Sequence, residues 1–458
     1  MQAEEDAQSM ATQYDVIVLG TGSAGTTAAY TCNQAGMSVA IVDSRPFGGT
    51  CALRGCVPKK VYTAAAEAVD YANRLEGKGV EKSHLGIDWT DLQAFKRSFT
   101  DAFPENREQG YLNAGIDTYH GRAEFLDDHT VRVGDTSLPG EHIVITTGAK
   151  PRTLGIPGEE FVTSSTDFLA LENLPGDIVF IGAGFISMEF AQVAVQAGAN
   201  VRIIHRSSRP LKLFDPDLVD ILIEASRNAG IEFSFNAELT EVTRDGNTLT
   251  VQASQSGKQL TFETDMVIHG AGRVAEIDDL HLEKAGVTSS ARGVKVNEYL
   301  QSVNHPHIYA GGDAAESGPP LTPVASLDGE VIAENIISGA SRRPDYTVVP
   351  SVVFSEPHLT RVGLSEQEAQ KRDLDVRVNY SKTGDWVTSR RINQPYSGFK
   401  ILIENQTGSI LGAHLLGPHA EEIINIFALA IKSNIRASTL KNMIYAYPTS
   451  ASDISYML

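Results

Sequence analysis

An α/β chain with two Rossmann-like dinucleotide-binding domains and a third, α+β domain is predicted by three observations in the 458-residue sequence. The stretch YDVIVLGTGSAGTTAAYTCNQAGMSVAIVD (14–43) recurs, without a gap, as GDIVFIGAGFISMEFAQVAVQAGANVRIIH (176–205). Each copy reads as a strand, a glycine turn, a helix and a second strand, the arrangement that brings backbone up to a pyrophosphate at a helix N-terminus. Beyond Arg342-Arg343-Pro344 the pattern changes to alternating strands, VVPSVVF and FKILIEN, and a helix, EEIINIFALAIKSN.

Composition excludes several classes of protein. A 42% hydrophobic content is ample for buried cores. With 38 Lys and Arg against 57 Asp and Glu, the formal charge of -19 argues against nucleic acid or an anionic membrane as the main partner. No apolar run approaches the roughly 18 residues of a membrane span, and residues 1–12 are polar and acidic, unlike a signal peptide. The expectation is a cytoplasmic enzyme with a short disordered N-terminus.

In the first unit the turn carries Gly20, Gly22 and Gly25, and the second strand ends at Asp43, whose carboxylate suits the free hydroxyls of an adenosine ribose. Cys32 stands alone in the helix and reads as a small buried hydrophobe. Next comes GGTCALRGCVPKK, with Cys51 and Cys56. A structural bridge is disfavoured in a chain with three cysteines and no secretory signal. Zinc would need two further ligands at matched spacing, so no metal site is expected. A redox pair remains. Five residues of ideal helix rise about 7.5 Å, beyond the roughly 7 Å that a disulfide spans, so the segment must be distorted if the pair closes. Gly48, Gly49 and Gly55 permit that.

Two stretches, HIVITTGAK with Thr147 and Gly148, and MVIHGAGRVAE with Gly270 and Gly272, read as crossings between domains. In the second unit Gly182 and Gly184 form the turn, and His205, Arg206, Ser207, Ser208 and Arg209 follow the second strand, with Lys212 behind. Arginines there attract a 2′-phosphate that a carboxylate would repel, so this unit favours NADPH over NADH. HPHIYAGGDAA then brings a strand to Asp313, and a helix begins near Thr322.

Together these residues resemble the class I pyridine nucleotide–disulfide oxidoreductases, and within them glutathione reductase, over nearly the whole chain. The resemblance implies FAD on the first unit, NAD(P)H on the second, and a C-terminal dimerisation domain that pairs two subunits around shared active sites. Carried over, Gly20, Gly22, Ser23, Ala24, Asp43, Thr50, Ala123, Thr147, Asp313 and Thr322 would hold FAD. Gly182, Gly184, Glu189, Arg206 and Lys212 would serve NADPH. Gly25, Gly49, Gly148, Arg209 and Gly272 join them as cofactor-binding positions, and Phe185 matches an aromatic that covers the nicotinamide pocket. The implied boundaries are 13–150 with 281–343 for FAD, 151–280 for NADPH and 344–458 for the interface. Lys59 matches the lysine near the reactive flavin nitrogen and Glu189 its carboxylate partner. Hydride would pass from NADPH to FAD and electrons on to the Cys51–Cys56 disulfide, with Cys56 facing the flavin and Cys51 attacking the substrate.

The pattern breaks near the C-terminus. Disulfide reductases of this family carry a His-Pro-Thr segment and a Glu five residues after the His; here Tyr447 and Ser452 hold those places. A phenol with pKa near 10 donates a hydrogen bond but is a poor base, unlike an imidazole near about 6.5. Asp453, one residue late, would be turned away by roughly 100° in a helix. Tyr30 and Glu330 stand where glutathione reductases typically carry arginines, which disfavours glutathione disulfide. Mercuric reductases also place a tyrosine at this position, but they carry a vicinal cysteine pair near the C-terminus, and no cysteine follows Cys56 here. His414 and His419 read as exposed loop residues. The expected function is a homodimeric FAD- and NADPH-dependent reductase of a small disulfide or related acceptor. The alternatives are a metal-ion or quinone reductase, a glutathione reductase with an atypical proton relay, and a flavin-holding redox sensor.

Overall fold

In a computed structural model of the protein, residues 13–81 and 85–458 are described. The expected disordered N-terminus, 1–12, lies outside them. The described residues form two compact units, the first from 13–58, 97–152 and 273–346, the second from 59–81, 85–96, 153–272 and 347–458.

The first unit is built around β1 (Tyr14–Leu19), α1 (Ser23–Gln34) and β2 (Val39–Asp43). β1 lies between β2 and the strand Thr136–Ile145, parallel to both, in a seven-stranded sheet. Asp117–His120 extends the sheet beyond β2, and Ile308–Ala310 pairs with the far side of Thr136–Ile145. Both faces of β1 are buried: Ile17 and Leu19 enter one apolar cluster, Val16 and Val18 the other. That explains a continuous apolar run where a half-buried strand would alternate. The segments Ala149–Pro151 and Arg273–Ala275, within the two stretches read as crossings, pair antiparallel in this unit.

The second unit repeats the plan with β3 (Asp177–Ile181), α4 (Phe185–Gln196) and β4 (Asn200–His205) in a five-stranded parallel sheet, preceded in the chain by α2 (Gly49–Arg54) and α3 (Cys56–Arg74). A three-stranded antiparallel sheet spans Ala237–Thr264. The C-terminal part is a five-stranded antiparallel sheet packed by the helix α5 (Ala420–Lys432). The strand Ile410–Leu416 holds His414 fully buried, its Nε2 3.0 Å from the Leu364 carbonyl. This corrects the reading of His414 as an exposed loop residue: in GAHLL it lies in a strand with both faces covered, and burial pulls its pKa down. His419 is exposed, as expected.

Helix α1 packs closely on the helix Thr322–Ser338 because Gly329 presents no side chain. A Cβ there would lie 2.3 Å from the Ala24 carbonyl oxygen and 2.9 Å from Thr27 Cβ. Backbone cannot retreat as a flexible side chain would. Gly329→Val is expected to cost about 1–3 kcal/mol, read as a lower urea midpoint; an unchanged midpoint would show that the helices part without strain.

Candidate functional site

The dithiol sits across a broken helix. α2 ends at Gly55, where φ is -145° and ψ is -115°, and α3 starts afresh at Cys56. A Cβ on Gly55 would lie 2.9 Å from the Thr50 carbonyl oxygen. This is the distortion that the spacing demands. Cys51 is half-buried and Cys56 exposed, and the two thiols share a hydrogen bond. That bond to Cys56, together with burial, pushes the Cys51 thiol up, while a hydrogen bond to Thr322 opposes the rise. Cys56 Sγ is also 3.4 Å from Thr322 Oγ1. Thr322 opens the helix Thr322–Ser338, so the positive end of that helix points at the sulfurs and favours a thiolate. Cys32, by contrast, is fully buried in α1, and burial pushes its thiol up to about 12.

Three positions after Cys56 in the same helix, Lys59 forms an ion pair with Glu189 of α4. Its Nζ lies 3.2 Å from each carboxylate oxygen. The side chains are only 11% and 4% exposed, so the pair must be satisfied on all sides. The Phe354 N–H donates to Glu189 Oε1 at 2.8 Å, and the Phe354 ring lies 3.9 Å from Lys59 Nζ. Sequence reasoning paired Lys59 with Glu189 but missed Phe354, an ordinary member of the apolar run VVF. Phe185, at the start of α4, is 52% exposed.

The first glycine turn fits a dinucleotide. Gly20 has φ +111°, and a Cβ there would lie 2.4 Å from the Thr146 carbonyl oxygen; one on Gly25 would lie 2.0 Å from the Gly20 oxygen. Above Gly22, at the N-cap of α1, a Cβ would meet nothing within 4 Å, which leaves the helix end, with Ser23 and Ala24, open to a ligand. Asp43 fixes the turn: its Oδ2 accepts from Thr21 N at 2.9 Å and Thr21 Oγ1 at 2.6 Å. Thr147 Oγ1 is buried without a hydrogen-bond partner, next to Gly148 at φ +78°. Burial raises the pKa of Asp313, against the pull of Arg273. Ala123 is buried at the start of a short strand, and Thr50 is half-buried beside Cys51. Arg45, Arg54 and Arg273 gather around Asp43 and Glu276, a cationic cluster from three distant segments that no local motif marks.

The second turn copies the first with one substitution of chemistry. Gly182 has φ +90°, and a Cβ there would lie 2.5 Å from the Gly270 oxygen. Gly184 is the N-cap of α4, and Gly272 has φ +114°. Where Asp43 accepts from Thr21 N, His205 Nδ1 accepts from Ala183 N at 3.2 Å. His205 Nε2 faces the Arg209 carbonyl at 3.1 Å and Ser207 Oγ at 2.9 Å. Burial lowers the His205 pKa, and the charges of Lys212 and Arg206 push the same way, so the ring is held neutral. Arg206, Arg209 and Lys212 are exposed around it.

At the C-terminal end Tyr447 is 78% exposed. Ser452, in the expected glutamate place, is spent on its own turn, donating to the Thr449 carbonyl at 2.6 Å. Asp453 accepts from Thr388 Oγ1, which commits it away from Tyr447. Glu330 pairs with Arg342 at 3.6 Å, and the Tyr30 ring packs on Tyr111 at 5.4 Å between centroids. The dithiol geometry makes a chemical prediction: mild oxidation should join Cys51 to Cys56 and leave Cys32, of the three cysteines, as the one thiol alkylated after denaturation. Peptide mapping that finds Cys32 in a disulfide would overturn it.

The pyridine nucleotide–disulphide oxidoreductase model matches residues 14–329, and that family's dimerisation-domain model matches 349–457. The chain is 31% identical over 446 residues to a mercuric reductase of Staphylococcus aureus, covering 96% of this chain and 80% of that protein. It is 30% identical over 474 residues to a glutathione reductase of Nostoc sp., covering 98% and 100%. Among solved structures, the Cu(II) complex of the HOCl-induced flavoprotein disulfide reductase RclA from Escherichia coli matches with a TM-score of 0.87 at 27% identity, covering 97% of this chain and 99% of that one. With a broken-helix dithiol, two glycine turns and family matches over both parts, the chain belongs to the pyridine nucleotide–disulfide oxidoreductases, FAD-dependent enzymes that use a pyridine nucleotide.

Proposed function

We propose that the protein is a homodimeric, FAD-containing, NADPH-dependent reductase that passes electron pairs through Cys51 and Cys56 to a small disulfide or related acceptor. The observation that carries this reading is the hydrogen-bonded thiol pair across the break at Gly55, with a helix end and Thr322 beside it. FAD, when bound, supplies a carrier that takes a hydride from a dihydronicotinamide and hands two electrons to a disulfide. The turn at Gly20, Gly22 and Gly25, with the open end of α1, offers N–H groups to its pyrophosphate. The unpartnered Thr147 hydroxyl and the Asp313 carboxyl offer further polar contacts. Lys59, fixed between Glu189 and the Phe354 ring, holds a positive charge for the flavin.

In the oxidative half, the Cys51 thiolate attacks one sulfur of the acceptor disulfide, and the other sulfur leaves and takes a proton. Cys56 then attacks Cys51, closes the Cys51–Cys56 bond and releases the second half as a thiol. Both protons come from the reduced pair. Cys51→Ser should abolish turnover of disulfide acceptors while leaving anaerobic bleaching of the flavin by NADPH intact. Full turnover in that variant would sink the dithiol assignment.

The preference for NADPH rests on the second turn. A neutral His205 holds the backbone that Asp43 holds in the first unit, and it leaves the surrounding charge to Arg206, Arg209 and Lys212. Each charge-assisted contact to a 2′-phosphate is worth about 1.5–3 kcal/mol. Reversing Arg206 and Arg209 to Glu should therefore raise KM for NADPH by about tenfold or more and leave KM for NADH nearly unchanged. Equal losses with both nucleotides would assign the arginines to folding instead.

Homodimerisation is supported by the apolar groups that the C-terminal part exposes: Ile444 is 98% exposed, Tyr456 73% and Leu429 61%. A redox-active cysteine pair, rather than a structural bridge, suits the reducing cytoplasm, and among the described residues no helix is long and apolar enough to cross a membrane. A second reading replaces the disulfide by a metal ion or quinone. It is favoured by Tyr447, whose exposed phenol is a poor base, and by the engagement of Ser452 and Asp453 elsewhere. Comparing NADPH oxidation with a disulfide, a quinone and a soft metal ion as sole acceptor separates the two. Tyr447→Phe should slow whichever acceptor the dithiol serves, and unchanged rates on all three would make the tyrosine a packing residue.

A further inference from the structure

A second cluster of ionisable groups lies in the second unit and is unused by the chemistry above. His358, just before the strand Leu359–Gly363, is 8% exposed. Glu67 of α3, Glu356 two residues upstream and Glu421 in the first turn of α5 surround it. His358 Nε2 stands 3.4 Å from Glu67 Oε1, while Nδ1 stands 3.6 Å from Glu356 Oε1 and 3.9 Å from Glu421 Oε2. Donor atoms of Glu67, Glu356 and His358 all lie within 4.8 Å of one another. Yet His358 Nε2 and Glu421 Oε2 are buried and make no hydrogen bond.

Three carboxylates thus converge on an enclosed imidazole, and against the effect of burial their charges raise its pKa. Lys60 Nζ reaches Glu67 Oε1 at 3.2 Å, but Arg74, which follows on the same helix, is engaged by Asp70 and the Ile392 carbonyl. Buried carboxylates are paired or bind metal, because the field of an unpaired one is not screened. We propose that Glu67, Glu356 and the Nε2 of His358 form a binding site for a divalent cation of the zinc class, with Glu421 accepting from Nδ1–H and orienting the ring.

The donor set fits that ion. Zinc binds imidazole and carboxylate at about 2.0–2.2 Å in a tetrahedron, so its donors stand roughly 3.3–3.5 Å apart. The His358–Glu67 separation is already of that size, while Glu356, which faces Nδ1 at 3.6 Å, would have to turn its carboxylate towards Nε2. A ligating histidine usually gives its other N–H to a carboxylate, the place Glu421 occupies. The ligands come from α3 and the Phe354–His358 loop, and the orienting carboxylate from α5, so the ion would clip three segments together. Lys60 covers the Phe354 ring at 4.3 Å, which joins this clip to the loop that also supports Glu189. A rival His and Asp set, Asp128, His305 and His307, lies in the first unit. There His307 Nε2 already hydrogen-bonds the Asp128 carbonyl at 2.9 Å, so it serves as the control.

The test uses the full-length FAD-loaded protein with its dithiol oxidised, so that the thiols bind no metal. After chelation and dialysis, Zn²⁺ is titrated by calorimetry and the melting temperature is followed in parallel. One equivalent per chain with a raised melting temperature is expected. His358→Gln and Glu67→Gln should each weaken binding by about tenfold or more, and His307→Ala should not. Flavin absorbance and the metal-free melting temperature report whether each variant folds. Should His358→Gln fail, the less buried Glu67 gives the deciding variant. Absence of binding in the parent protein, retention in Glu67→Gln, or loss in His307→Ala would overturn the proposal.

Discussion

Backbone packs on backbone where the first glycine turn meets the helix that carries Cys51. A Cβ on Gly49 would lie 2.5 Å from the Gly22 Cα, and one on Gly20 would run into the Thr146 carbonyl. Three chain segments therefore approach as closely as main chain allows, and the dithiol takes its place from that approach. Asp43 ties the same turn through Thr21, whose hydroxyl also accepts from Gly48 N at 3.0 Å. One buried network thus sets the dinucleotide turn and the entry to the redox helix together. A side chain at Gly20 or Gly49 would disturb both.

The sulfur chemistry follows from how the segment ends. An unbroken helix would hold the sulfurs too far apart; the stop at Gly55 brings them within hydrogen-bonding reach and leaves Cys51 half-buried with Cys56 exposed. The neighbouring thiol and burial raise the Cys51 pKa, and Thr322 with its helix end works the other way. Which sulfur carries charge is decided by these opposing local fields rather than by the intrinsic acidity of cysteine.

Much of this was legible in the sequence where a motif is local. The duplicated glycine unit, the CxxxxC string with flanking glycines, and Cys32 as a buried hydrophobe follow from residue order and spacing. Lys59 with Glu189 needed the family resemblance, since nothing in either segment alone pairs them. What escaped depends on partners far apart in the chain. Phe354 meets Glu189 through its backbone N–H, which no side-chain pattern reveals. The cluster of Arg45, Arg54 and Arg273 converges from three segments. His414 looked like a loop residue because one histidine in an apolar run does not announce a strand buried on both faces. Asp453, one residue past the expected glutamate place, is held by its hydrogen bond to Thr388, a partner that spacing does not reveal.

The exchange of Asp43 for His205 separates two tasks that the first unit combines. In the first turn one carboxylate shapes the backbone and, in the proposed function, would also set the charge at the ribose. In the second, a neutral ring shapes the backbone from within, and the charge is carried by the exposed side chains of Arg206, Arg209 and Lys212. On the proposed reading, nucleotide choice at the second turn can be altered on that exposed rim without touching the group that shapes the backbone, whereas at the first turn the same carboxylate would have to change.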